Sequence, residues 1–195
     1  MLNVELLGKK FGREWIFRNV SFHLKEKQCL VVTGKNGSGK TTLLRILTGL
    51  ENSSEGIVQL NLEDSRKEIG FSSPDLRLYG TLTGMEHLSL SQKLRGETPK
   101  QGKNEVLLEL FGLKQHAHKL VSAYSTGMRA RLKLAIATES KRNLLILDEP
   151  FSNLDEEGCE ILQNIIQQQK SHGILIFSTN NPGEIKFGDY ELNLA

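Results

Sequence analysis

Residues 34–41 read Gly34-Lys35-Asn36-Gly37-Ser38-Gly39-Lys40-Thr41. The spacing is that of a glycine-rich phosphate-binding loop, G-x-x-x-x-G-K-T. Gly34, Gly37 and Gly39 let the backbone curl so that successive N–H groups point at one anion. Lys40 supplies a point charge to the β- and γ-phosphates, and the Thr41 hydroxyl suits Mg²⁺. Lys35, Asn36, Ser38 and Thr42 complete the candidate nucleotide-binding set. Ahead of the loop, Cys29-Leu30-Val31-Val32-Thr33 is apolar and partly β-branched; behind it, Thr42-Leu43-Leu44-Arg45-Ile46-Leu47 is helix-like. A strand, a glycine loop and a helix N-terminus, in that order, bind phosphate.

Working outward, Leu144-Leu145-Ile146-Leu147-Asp148-Glu149 is an apolar strand that ends in two carboxylates. In an open α/β sheet, ligands sit at the carboxyl ends of the strands. Asp148 is the expected Mg²⁺-side carboxylate, acting through Thr41 and water, and Glu149 the base that polarises an attacking water. The alternative is a solvated turn after a core strand. Tyr124-Ser125-Thr126-Gly127-Met128-Arg129 opens a helix, with Ser125 as N-cap and Gly127 permitting close approach of an anion.

Strand character is expected at Leu2 to Leu7, Trp15 to Leu24, Gln28 to Thr33, Gly56 to Leu60, Lys67 to Phe71, Asn143 to Leu147, Gly173 to Ser178 and Tyr190 to Leu194. Helical periodicity marks Lys40 to Thr48, Thr83 to Leu94, Lys103 to Leu110, Gly127 to Ser140 and Glu156 to Lys170. Strands alternating with helices imply a mostly parallel α/β core. The fold class is therefore α/β: a P-loop NTPase with a mostly parallel core sheet, an antiparallel β subdomain and an inserted α-helical subdomain. The reading is one domain over 1–195, with its core at 1–72 and 143–195 and the helical subdomain at about 73–142.

The chain has 195 residues, 38% hydrophobic and 25% charged, enough for one sizeable core. A net charge of +2 is too mild to argue for nucleic acid. No apolar run reaches the ~18 residues of a membrane span, and the N-terminus lacks a signal pattern. Cys29 and Cys159 are isolated, without metal spacing, and read as reduced thiols in a cytosol.

Together the motifs resemble the ABC ATPase family, over the whole chain and in order. Gly34 to Thr41 looks like Walker A, Tyr124 to Met128 like the signature, and Leu144 to Asp148 like Walker B. Glu149 occupies the catalytic glutamate position, and Ser152-Asn153-Leu154-Asp155 resembles the D-loop. Phe11, in Lys10-Phe11-Gly12, matches the aromatic that stacks on adenine. The resemblance implies ATP and Mg²⁺ as ligands, and a head-to-tail dimer with two-fold symmetry. Ser125, Thr126 and Gly127 would close on the ATP of the partner. It further implies a membrane-spanning partner subunit, with this chain cytoplasmic and peripheral at the inner face of the membrane. The ending soon after the last strand resembles small exporter-type ATPases, including the haem-exporter subunit.

Three positions depart from the family. Met128 stands where the signature carries an amide side chain. Pro74 stands at the Q-loop glutamine, with Ser73 and Asp75 as neighbours able to take its part. Asn180 stands at the switch histidine; it can donate to a γ-phosphate but carries no titrating proton. With Lys40, Glu149 and Asn180 as the catalytic set, the expectation is intact binding with slow hydrolysis. The competing readings are a regulatory or structural ABC subunit with negligible turnover and a soluble ABC ATPase outside transport. Smaller features read blandly. Arg129, Arg131, Lys133, Lys141 and Arg142 suggest a solvated basic face, His116 and His118 loop histidines, and Gln163, Gln167, Gln168 and Gln169 exposed filler. Leu76, Leu78, Tyr79 and Leu82 divide between core packing and a groove for a coupling helix.

Overall fold

The computed structural model describes residues 1–194, which divide into two compact units. The first comprises Met1–Phe71, Arg142–Glu149 and the residues from Ile166 on; the second comprises Ser72–Lys141 and Pro150–Ile165.

The first unit holds two sheets. Strands β1 (Leu2–Phe11), β2 (Glu14–Leu24) and β4 (Glu55–Leu60) form an antiparallel sheet in the order β2-β1-β4. The second sheet is built from β3 (Cys29–Gly34), β5 (Ile69–Ser72), β6 (Leu144–Asp148), β7 (Ile174–Ser178) and β8 (Tyr190–Leu194). Its order is β5-β6-β7-β3-β8; β3 runs parallel to β7 and β8, and β6 parallel to β7. This is the expected P-loop architecture. Strands β6 and β7 are buried along their whole length, which is why they read as unbroken apolar runs rather than alternating ones. Helix α1 (Lys40–Leu47) contributes Leu43, Leu44, Ile46 and Leu47 to a core that joins residues of both sheets, among them Leu2, Leu24, Val32 and Ile146. Burying side chains of this size stabilises the fold by about 1.5–3 kcal/mol each.

One expected strand begins late. Ser65–Glu68 is a turn of helix, α2, so Lys67 and Glu68 are helical and β5 starts at Ile69. Local capping outweighs strand propensity there: the Asp64 side chain accepts from the Arg66 N–H, and Glu68 Oε1 accepts from the N–H groups of Glu63 and Asp64.

The second unit is helical: α3 (Gly84–Leu94), α4 (Gln101–Leu110), α5 (Thr126–Thr138) and the first part of α6 (Glu156–Lys170). Helix α3 opens with a reciprocal capping box between Thr83 and Glu86, which no strand could use. A buried amide pair joins α3 to α4: Gln92 Nε2 donates to Asn104 Oδ1 at 2.8 Å, and Asn104 Nδ2 returns a bond to Gln92 Oε1 at 3.2 Å. Arg95 pairs with the buried Glu139.

Of the basic stretch, Lys141 is exposed, as a solvated face requires, but the other four are not. Arg131 is buried and donates to Glu157 Oε2 at 2.8 Å. Arg129 donates to the carbonyls of Val121 and Ser122, and Lys133 to those of Ser73 and Pro74. Arg142, 2% exposed, donates to the Lys67 carbonyl at 2.5 Å. Gln169 likewise departs from the filler reading: it is buried and donates to the carbonyls of Arg142 and Ile174.

Candidate nucleotide site

The loop after β3 takes its shape from glycines that no other residue replaces cheaply. Gly34, Gly37 and Gly39 have φ of 145°, 86° and 95°, all in the region that disfavours a Cβ. A Cβ on Gly39 would lie 2.5 Å from Ile16 Cγ2, and one on Gly34 2.4 Å from the Leu194 carbonyl oxygen. Gly39 caps α1, so the first N–H groups of that helix open toward the loop. Lys40 is buried, its ammonium donating to the carbonyls of Gly34 at 2.9 Å and Lys35 at 3.2 Å. An ammonium has three donors, so two carbonyls leave one for a ligand. The Ser38 hydroxyl oxygen is buried and finds no partner among the described residues.

A cleft of about 430 Å³ lies over this loop, lined by Asn36, Gly37, Gly39, Lys40, Thr41 and Thr42, together with Glu149 and Ile16. Asp148 stands at the end of β6 and is buried. Its Oδ2 accepts from the Thr41 hydroxyl at 2.7 Å and its Oδ1 from the Ser178 hydroxyl at 2.5 Å. Glu149, the next residue, turns the chain with φ at 45°. A left-handed non-glycine residue costs on the order of 1–3 kcal/mol and collects at functional sites. Its N–H donates to Ser178 Oγ at 2.9 Å.

Asn180 is exposed and its amide donates to Asn36 Oδ1 at 3.0 Å. With Gly34 and Lys35 it lines a second cavity of about 580 Å³, walled also by Thr33 and Glu191, which are hydrogen-bonded at 2.7 Å. Phe11 lines neither of these cavities. It is 53% exposed, with the Lys9 ammonium 4.8 Å from its ring centroid. In the second unit, Ser125 caps α5, its hydroxyl accepting from the Met128 N–H at 3.2 Å. Ser125 and Thr126 are exposed, and the Asn153 carbonyl lies 3.5 Å from where a Gly127 Cβ would stand. The carbonyls of Ser73 and Pro74 hold Lys133, whose pKa lies below the usual range because burial outweighs the nearby Asp75.

Ile16 and Ser178 join the site without having been expected there. Ile16 carries no chemical signal. Ser178 carries one: a hydroxyl closing an otherwise apolar strand.

The family described as ABC transporter matches residues 17–152. The chain belongs to that family, as its ATP-binding domain. This ABC domain is 36% identical over 184 residues to the uncharacterized ABC transporter ATP-binding protein YxlF of Bacillus subtilis, covering 92% of this chain and 62% of YxlF. It is 38% identical over 151 residues to the cytochrome c biogenesis ATP-binding export protein CcmA of Xylella fastidiosa, covering 74% of this chain and 67% of CcmA. The ABC domain spans only about three fifths of the length of YxlF and several other curated relatives. Among solved structures, a dimeric post-hydrolysis state of the ATP-binding cassette MJ0796, bound to ADP and Pi, superposes with a TM-score of 0.88. At 22% identity, over 99% of this chain and 94% of that one, the likeness establishes the fold.

Proposed function

We propose that this ABC domain binds and hydrolyses ATP with Mg²⁺, and that it works as a head-to-tail homodimer powering a membrane-spanning transporter subunit. The observation that carries the reading is the 2.7 Å bond from Thr41 to Asp148, beside a cleft that Lys40 and Glu149 both line.

Each residue has a task in that reading. The backbone N–H groups of residues 37–42 cradle the phosphates, and the third donor of Lys40 reaches the β- and γ-oxygens. The donor set fits a hard divalent ion: Thr41 gives its proton to Asp148 and keeps its lone pairs for a metal. Mg²⁺, when bound, would be held by Thr41 and, through water, by Asp148, and would neutralise charge developing on the phosphates. Glu149 orients a water and takes its proton as the oxygen bonds to the γ-phosphorus. The bond to the ADP oxygen breaks in the same displacement, giving ADP and phosphate. Asn180 donates to a γ-phosphate oxygen. Phe11 stacks on the base. Ser125, Thr126 and Gly127 meet the nucleotide of a second copy, supported by the exposure of Ser125 and Thr126 at the N-terminus of α5, where a helix favours anions.

Among the described residues no helix is long and apolar enough to cross a membrane. Membership of the ABC transporter family supports a peripheral placement at the cytoplasmic face, through the partner subunit. The likeness to CcmA supports an export role of the haem-exporter kind.

Phosphate release by purified protein tests the reading. Wild type with ATP and Mg²⁺ is expected to turn over, and Glu149→Gln to lose at least ~100-fold in rate while still binding ATP and dimerising. A wild type that binds no ATP overturns it. Asn180 favours one second reading, a nucleotide-responsive subunit with negligible turnover. In that case ATP dimerises the wild type without measurable phosphate release.

A further inference from the structure

We propose that Ser178 is a positioning residue for hydrolysis, holding Asp148 and the backbone of Glu149 in working geometry at once. The inference rests on the ATPase reading above and deepens it.

Ser178 ends β7 and is fully buried. The four residues before it, Ile174-Leu175-Ile176-Phe177, are apolar and buried, so packing alone would accept a valine or alanine here. The hydroxyl has a different occupation. A serine hydroxyl offers one proton and two lone pairs. The proton goes to Asp148 Oδ1 at 2.5 Å, and a lone pair takes the Glu149 N–H at 2.9 Å. The strand register makes this possible, because Asp148 and Ser178 are paired at the ends of β6 and β7.

Two consequences meet at this one oxygen. The Asp148 carboxylate is held from both sides, by Thr41 on α1 and by Ser178 on β7, so its plane is fixed before any ligand arrives. Glu149, at φ of 45°, turns its N–H out of the β6 ladder, and Ser178 receives it. The direction of that N–H fixes the direction in which the Glu149 side chain leaves the backbone. Neither bond touches substrate, so Ser178 acts through its neighbours. A positioning role of this kind appears in kcat more than in KM.

The test compares wild type, Ser178→Ala and Ser178→Thr, with Ser178→Ala also built into Glu149→Gln. Steady-state kcat and KM, single-turnover rates and Tm are measured with ATP and Mg²⁺. Ser178→Ala is expected to lower kcat by at least about tenfold with KM within about twofold. Ser178→Thr, which keeps the hydroxyl, is expected to recover most of the rate. In Glu149→Gln, Ser178→Ala is expected to slow the single turnover by a smaller factor than it does in wild type, because the share that acts through Glu149 is already lost while the share that acts through Asp148 remains. A kcat equal to wild type in Ser178→Ala, or effects that multiply in the double variant, overturns the proposal. Should the threonine methyl prevent folding, the double-variant comparison decides alone. Absence of turnover in wild type overturns the ATPase reading instead, and is distinct from both outcomes.

Discussion

The amide of Asn180 donates to Asn36 Oδ1 across 3.0 Å, tying the segment after β7 to the phosphate-binding loop. The bond holds Asn180 beside the loop without giving it a proton to exchange. Asn180→Ala is expected to slow hydrolysis by about 10- to 100-fold, through loss of a donor to the γ-phosphate. Asn180→His is expected to speed it, and to add a pH dependence near the ordinary imidazole pKa of about 6.5. Phosphate release across pH 5.5–8.5 checks both. A rate unchanged by Asn180→Ala counts against any role for this side chain.

Thr41 and Asp148 set a second expectation. Thr41→Val keeps the shape of the side chain and removes the hydroxyl, leaving the buried Asp148 with one donor fewer. Stability is expected to fall by about 1–3 kcal/mol. The Mg²⁺ concentration needed for half-maximal hydrolysis is expected to rise, while nucleotide binding measured without Mg²⁺ changes little. A magnesium titration of the two proteins reads this directly.

Much of the candidate nucleotide site was legible in the sequence because its chemistry is local. A loop that must point several N–H groups at one anion needs glycines at fixed spacing, and a strand buried on both faces must be apolar until it reaches the ligand. Asp148 and Thr41 follow from those two rules. Partners distant along the chain were not legible. Nothing in the spacing of Gln169 shows that carbonyls of residues 142 and 174 await its amide. Arg131, Arg142 and Lys133 have the composition of a solvated face, yet each holds a particular carboxylate or carbonyl. Polar periodicity records only which side of a helix a residue occupies.

Gln169 therefore carries a stability prediction. Gln169→Leu is close to isosteric but leaves the carbonyls of Arg142 and Ile174 without their donor. The expected cost is about 2 kcal/mol, a Tm lower by about 4–8 °C. Thermal melts in the presence and absence of ATP measure it, and nucleotide affinity in the folded protein is expected to stay within about twofold.

Cys29 is fully buried, and burial pushes its thiol from 9.0 up to about 12, with Lys170 opposing and Asp189 adding to the rise. The fold thus favours the neutral thiol. This contribution to stability is complete below pH 9.0 and is lost as pH rises toward about 12, because the unfolded chain ionises first. At pH 8, iodoacetamide is expected to modify Cys159 well before Cys29, which is half-buried against fully buried. Mass spectrometry of the alkylated protein with and without urea separates the two sites.

Strand β3 lies between β7 and β8, so the segment that feeds the phosphate-binding loop has both hydrogen-bonding partners some 140 residues further along the chain. At a synthesis rate of about 5–20 residues per second, β3 leaves the ribosome on the order of ten seconds before either edge can be paired. Strands β1, β2 and β4 find each other within the first 60 residues and need no such wait. The nascent chain therefore carries the strand that leads into that loop unpaired for longer than any other. Capture of the growing chain by a holdase, or its aggregation, is expected to begin there.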